Sequence, residues 1–166
     1  MKEMDSTGLN MERLLIRPVM EQDAADIFEI RGDEDTADMA GVPCMKSLND
    51  AEDYVGCFAE TEAAYSIVLG EEVIGLIEIY SDEELLSCTN FLGYYMKKSF
   101  RGKGYMTEAL TALKNKWMEE GTDIPMLWIF PGNDASVRVA TKSGWDSLGC
   151  YVADNNGYNQ VIAYFA

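Results

Sequence analysis

Histidine is absent from all 166 residues. Neither a Ser-His-Asp triad nor a Cys/His zinc site can be built from this chain. Cysteine is scarce: Cys44, Cys57, Cys88 and Cys150 are scattered and form no CxxC pair. They read as free thiols packed as small hydrophobes, and no metal is expected. Positive charge is also scarce, with 13 Lys and Arg against 29 Asp and Glu and a formal net charge of −16. Such a field repels a phosphate backbone, which excludes nucleic acid as a general partner, and it favours an amine or other cation. No apolar run approaches the roughly 18 residues of a membrane span, so no membrane partner is expected. The opening stretch MKEMDSTGLNMERLL has no apolar core of signal-peptide length, and the expected location is the cytoplasm. No repeat or Pro/Ser-rich linker divides the chain. Residues 1–166 are expected to form a single domain, with residues 1–11 allowed as a flexible N-terminal segment. The sequence leaves both a monomer and a homodimer open.

Apolar residues make up 48% of the chain and charged ones 25%, a globular rather than a disordered composition. RLLIR (Arg13 to Arg17) reads as a first strand stopped by Pro18. EQDAADIFEIR places Ala24, Ile27, Phe28 and Arg31 at helical spacing, with acids in the first turn. Residues 32–46 read as loop with room for a helical turn. Asn49 is the expected cap of a second helix, with Glu52 three residues on and Ala51, Tyr54, Val55 and Phe58 along one face. The period then changes. AYSIVL and VIGLIEIY, separated by GEE, read as a hairpin, and TNFLGYYM (Thr89 to Met96) as a third strand.

A helix over Tyr105 to Glu120 carries Met106, Leu110, Leu113 and Trp117 as its apolar stripe and stops at Gly121. MLWIF is a short apolar strand. NDASVRVATKSG reads as a helix capped by Asn133 or Asp134 and stopped at Gly144. WDSLGCYV and YNQVIAYFA are the last strands. This order predicts an α/β fold, a mixed sheet of about seven strands covered by about four helices, because single-faced helices need a sheet to cover.

One segment departs from the acidic background. KKSFRGKGYMTEAL holds Lys97, Lys98, Arg101 and Lys103 with no acid between them. Gly102 and Gly104 allow close backbone approach and positive φ. A helix follows at once, and its first N–H groups and positive dipole end are free. Strand, basic glycine loop and helix N-terminus together suit a phosphate. The Walker pattern is absent. GKGYMT matches only half of a dinucleotide fingerprint, with Thr107 in place of the third glycine. A solvated turn is the bland alternative.

The loop resembles the acetyl-CoA loop of the GNAT superfamily of N-acyltransferases, whose signature is Q/R-x-x-G-x-G/A. Arg101 to Tyr105 fit it, and Met106 stands in the last small position. RLLIRPVMEQDAADIFEI, LGYYMKKSFRGKGYMTEAL and NDASVRVATKSGW resemble, in order, successive segments of the branch that includes ribosomal-protein N-terminal acetyltransferases. The resemblance implies a GNAT-like fold with a mostly antiparallel mixed sheet. It also implies acetyl-CoA as cosubstrate and acetyl transfer to a primary amine, on a small molecule or a peptide N-terminus.

It places Tyr95, Met96, Lys97, Lys98, Arg101, Gly102, Lys103, Gly104, Tyr105, Met106, Asn133 and Ser136 at the cofactor. Backbone around Tyr94 to Met96 would meet the acetyl carbonyl, and Ser136 would stand near the thiol. Tyr94, Ser136 and, as a candidate base, Glu78 are the catalytic candidates. A route without a protein base is the other reading. Relatives often carry Asp in the last strand where this chain has Gln160. The competing function is a non-catalytic GNAT-fold protein that binds CoA or a partner.

Overall fold

Alternating apolar residues build the sheet and apolar stripes build the helices that cover it. The computed structural model describes residues 8–59, 63–81, 90–130, 132–155 and 158–165, and only the backbone of residues 59, 81 and 150–165. The strands are β1 (Leu9–Asn10), β2 (Leu15–Pro18), β3 (Ala64–Leu69), β4 (Glu72–Ser81), β5 (Asn90–Met96), β6 (Met126–Ile129), β7 (Ser147–Asn155) and β8 (Tyr158–Phe165). The helices are α1 (Ala24–Arg31), α2 (Glu34–Ala40), α3 (Leu48–Ala59), α4 (Tyr105–Glu120) and α5 (Asp134–Lys142). The sheet runs β1-β2-β3-β4-β5-β6-β8-β7. Every neighbouring pair is antiparallel except β5 and β6, which are parallel and joined through α4.

β4 divides its side chains between two cores, and the register shift opposite Ile67 and Val68 lets Val73 and Leu76, three residues apart, share one face. Ile77 and Ile79 join Leu110, Leu113 and Trp117 of α4 on one face. Val73 and Leu76 join Ile27 and Ile30 of α1 and Val55 of α3 on the other. Glu78 follows Leu76 by two residues, so it points toward α1 and α3.

Three expectations need correction. Residues 9–10, inside the segment for which flexibility was allowed, pair with β2, Leu9 opposite Ile16. The stretch read as loop contains α2: Asp33 accepts the Thr36 N–H at 2.9 Å as its cap, and Gly41 ends it at φ +65°. A Cβ on Gly41 would overlap the Phe130 ring, so glycine lets α2 close onto the end of β6. Third, α3 begins two residues earlier than expected. Ser47 Oγ accepts the Asp50 N–H at 3.3 Å and Asp50 Oδ2 accepts the Ser47 N–H at 3.0 Å, a reciprocal capping box in place of Asn49 and Glu52. Among the described residues no helix is long and apolar enough to cross a membrane.

Candidate active site

Beyond Met96 the chain makes a single 3-10 turn, Lys98–Phe100, and then enters α4 through Gly102 and Gly104 at φ +74° and +83°. Both glycines occupy the left-handed region that side chains disfavour. At Gly102 a Cβ would meet nothing within 4 Å, so the backbone angle, not crowding, asks for glycine. Among the described residues, nothing accepts the N–H groups of Gly102 through Met106; the first bond into the loop is Glu108 N–H to Gly104 O. Arg101 fastens the loop at its base, with Nε 2.9 Å from Met96 O and Nη2 2.6 Å from Thr36 Oγ1. Met106 buries its side chain among the residues of the α4 core, which leaves its amide at the loop.

These amides border a cavity of about 380 Å³. Tyr95, Met96, Arg101, Gly102, Gly104 and Tyr105 form one wall. Residues 135, 138, 139 and 142 of α5, an unbroken i, i+3, i+4, i+7 face, form the other. Arg138 and Lys142 therefore stand across from the loop. Sequence reasoning missed both as cofactor residues, although their spacing of four puts them on one face. Unaccepted amides, a helix N-terminus and two opposed cations fit an anionic pyrophosphate.

The loop's own lysines are placed differently from expectation. Lys97, expected at the cofactor, is buried on the opposite face. It lies 2.7, 2.8 and 2.9 Å from Asp26, Glu29 and Glu72. Burial lowers its pKa, but bonds to the three carboxylates outweigh this and leave it raised. Lys98 pairs with Asp33 at 2.6 Å and Asp35 at 2.8 Å. Lys103 stands 5.2 Å over the Phe100 ring. Lys97, Lys98 and Lys103 do not line the cavity.

The parallel pairing of β5 with β6 covers only Phe91 with Met126 and Leu92 with Leu127. Both strands continue, β5 to Met96 and β6 to Ile129, so they part and leave the later β5 edge without a strand partner on that side among the described residues. A second cavity, about 250 Å³, opens at this parting. Tyr94, Tyr95, Asn133 and Ser136 line both cavities and mark their junction. Asn133 Oδ1 accepts the Ser136 N–H at 3.1 Å and caps α5, while its Nδ2 donates to Met39 O of α2 at 3.2 Å. The Tyr94 hydroxyl donates to Ser136 O at 2.9 Å. Burial pushes its pKa up to about 12. The Ser136 hydroxyl has no hydrogen-bond partner among the described residues.

Glu78 lines the second cavity but is not a free carboxylate. Its Oε1 accepts from Arg31 Nη1 and, at 2.7 Å, from the Tyr54 hydroxyl, and its Oε2 accepts from the Tyr95 hydroxyl at 3.0 Å. Burial, and next the negative Glu78, raise the pKa of both tyrosines, which keeps them donors. The Gln160 side chain lies outside the described residues.

The sheet parts at the end of its central strand beside a glycine loop with free amides, which leaves a slot that runs from the loop to the parted strands. The sequence profile of the Acetyltransferase (GNAT) domain matches residues 13–146, and the chain belongs to this family. Among solved structures it is similar to a GNAT-family acetyltransferase from Bacillus anthracis, with 22% identity, 95% of each chain covered and a TM-score of 0.82. It is also similar to the microcin self-immunity acetyltransferase MccE in complex with acetyl-CoA and AMP (16% identity, 96% of this chain and 94% of that one, TM-score 0.77). A third is the apo ribosomal alpha-N-protein acetyltransferase RimL (20% identity, 94% of this chain and 91% of that one, TM-score 0.73). No curated protein matches the chain in sequence.

Proposed function

We propose that the protein moves the acetyl group of acetyl-CoA onto the nitrogen of a primary amine, on a small molecule or a peptide N-terminus. The observation that carries this reading is the run of unaccepted amides from Gly102 to Met106, facing a cavity that leads to the parted β5 edge. When bound, acetyl-CoA supplies an activated acetyl carbonyl and a thiolate leaving group.

The loop amides, with Arg138 and Lys142 opposite, hold the pyrophosphate. The free edge of β5 from Tyr94 to Met96 offers a backbone N–H to the carbonyl oxygen, a donor fixed before charge develops there. The amine nitrogen forms its bond to the acetyl carbon, the carbon–sulfur bond breaks, the nitrogen's proton leaves to solvent, and sulfur takes one up. Ser136, with its hydroxyl unengaged at the junction, donates toward the sulfur. This help is modest, because a thiol of pKa near about 8.5 leaves readily. Tyr94 positions Ser136 through the carbonyl it holds. Glu78 is a positioning residue: its oxygens already accept three donors, so the acceptor reacts as the neutral fraction present in solution.

Calorimetric titration with acetyl-CoA, followed by thiol release against an amine panel, tests the proposal. Micromolar binding and amine-dependent release are expected. Binding without turnover of any amine would instead support a non-catalytic CoA-binding protein.

A further inference from the structure

Resting on that transferase reading, we infer that the acceptor is a primary amine carrying a compact apolar or aromatic group, and that Gly93 sets how large this group can be. The net charge of −16 suggests a polycationic acceptor at first sight. The cavities say otherwise. Of the chain's acidic residues, Glu78 alone lines either cavity among the described residues. Its charge is matched by Arg31, whose guanidinium also lies 4.6 Å from the centre of the Tyr95 ring. A second ammonium drawn into this space would lose its water and meet no unpaired carboxylate.

What the second cavity does offer is rings and aliphatic chains. Phe58, Tyr80, Trp128 and Phe130 line it together with Met39 and Leu92. Met39 and Tyr80 are 40% and 39% exposed, among the few large apolar side chains left open to solvent in the described residues. Both stand at this cavity, where an apolar substituent would cover them. The reacting nitrogen is then placed at the junction by Tyr94 and Ser136, and its substituent points toward Tyr80 and Glu78.

Gly93 lies opposite Glu78 in the sheet. A Cβ built there meets the Tyr95 hydroxyl at 3.4 Å, Glu78 Oε2 at 3.7 Å and Tyr80 Cε1 at 3.7 Å, all of them cavity residues. These are ordinary contact distances, and its φ is not positive, so a side chain is tolerated and projects into the acceptor space. The absence of a Cβ at residue 93 thus keeps room for the substituent.

The test uses the full chain with acetyl-CoA and measures CoA release. The probes are phenethylamine, a short peptide beginning with Phe, spermidine and kanamycin. The expected result is a kcat/KM at least about tenfold higher for phenethylamine or the peptide than for the polycations, the scale on which one apolar pocket discriminates. Preference for phenethylamine identifies a small-molecule acceptor, and preference for the peptide an N-terminus; both support the inference. Spermidine or kanamycin as the best acceptor overturns it and leaves the transferase reading standing. Failure to bind acetyl-CoA, or no transfer to any amine, overturns the transferase reading and this inference with it. Gly93→Val should raise KM for the preferred apolar acceptor by about tenfold with the acetyl-CoA Kd unchanged. Gly93→Ala, with less bulk, should give a smaller rise and serves if the valine variant does not fold. An unchanged KM in both variants overturns the role of Gly93.

Discussion

Arg101 Nη2 lies 2.6 Å from Thr36 Oγ1, and through this bond the cofactor loop holds the first turn of α2. Met39, on the same helix, lines both cavities. The loop that would bind phosphate and the helix that covers the acceptor are therefore one mechanical unit. Thr36→Val removes the acceptor of a charge-assisted bond at a partly buried site, worth about 1–2 kcal/mol. Acetyl-CoA Kd should rise about fivefold or more and acceptor KM should rise with it, while Thr36→Ser restores both. Titration calorimetry and steady-state kinetics read the two effects. A change in only one of them would break the proposed linkage.

Gly104 adopts φ +83° as the residue preceding α4. Gly104→Glu strains that backbone and sets a carboxylate among amides poised for an anion. Acetyl-CoA binding should fall at least about a hundredfold, by analogy with the loss of several charge-assisted bonds. Unchanged affinity in a folded variant, checked by circular dichroism, would remove the loop from the cofactor site.

Asn133 and Ser136 should separate by readout. Asn133→Ala loses the α5 cap, worth about 1 kcal/mol of stability, and releases Met39 O. It should therefore lower the melting temperature and weaken cofactor binding together. Ser136→Ala should lower kcat by a modest factor, with Kd and stability close to the parent. Wild-type kinetics for both variants would refute the junction as the thiol end of the site.

Asp33 links pH to stability. The Lys98 side chain, then Thr36, holds its pKa at about 2 against an ordinary 3.8. The folded value is depressed, so this stabilisation is complete above about pH 4 and fades as pH falls toward 2. Asp33→Asn keeps a capping oxygen but removes the titration. Urea midpoints should fall between pH 5 and 2.5 in both proteins, and fall less in the variant. Equal falls would show that Asp33 does not contribute to the acid limb.

Glu78→Gln should lower kcat/KM by disturbing Arg31 and Tyr95, yet leave the position of the pH–rate limb unchanged. That limb belongs to the acceptor amine, whose reference pKa is about 8 for an α-amine and about 10.4 for a lysine-like one. Disappearance of the limb in the variant would restore Glu78 as the base.

Much of this was legible in the sequence for reasons that can be named. α4 carries an unbroken apolar stripe ending at a glycine, and its span, Tyr105–Glu120, is the one expected. The hairpin declares itself through a change of period. The seven residues of α2, EDTADMA, hold too little apolar surface to show a stripe. Their helix depends on the Asp33 cap and on neighbours distant in the chain. The family resemblance places Lys97 at the cofactor with the rest of the basic segment. The strand period decides otherwise: Lys97 follows Tyr95 by two residues and takes the same face, toward α1. The spacing of Arg138 and Lys142 puts them on one face of α5 but names no ligand, and only the tertiary arrangement brings them opposite the amides.

The enclosure of Lys97 has a consequence for self-modification. An amine attacks a thioester only after losing its proton, and three carboxylates hold the Lys97 ammonium in its protonated form at the very end of β5. Lys98 is likewise raised by Asp33 and Asp35. The two lysines that precede the glycine loop in the chain are thereby withheld as nucleophiles. In a protein incubated with acetyl-CoA alone, adducts at these positions should be the rarest in a mass-spectrometric map, and Lys103 and Lys142, with no carboxylate against them among the described residues, should take them up sooner.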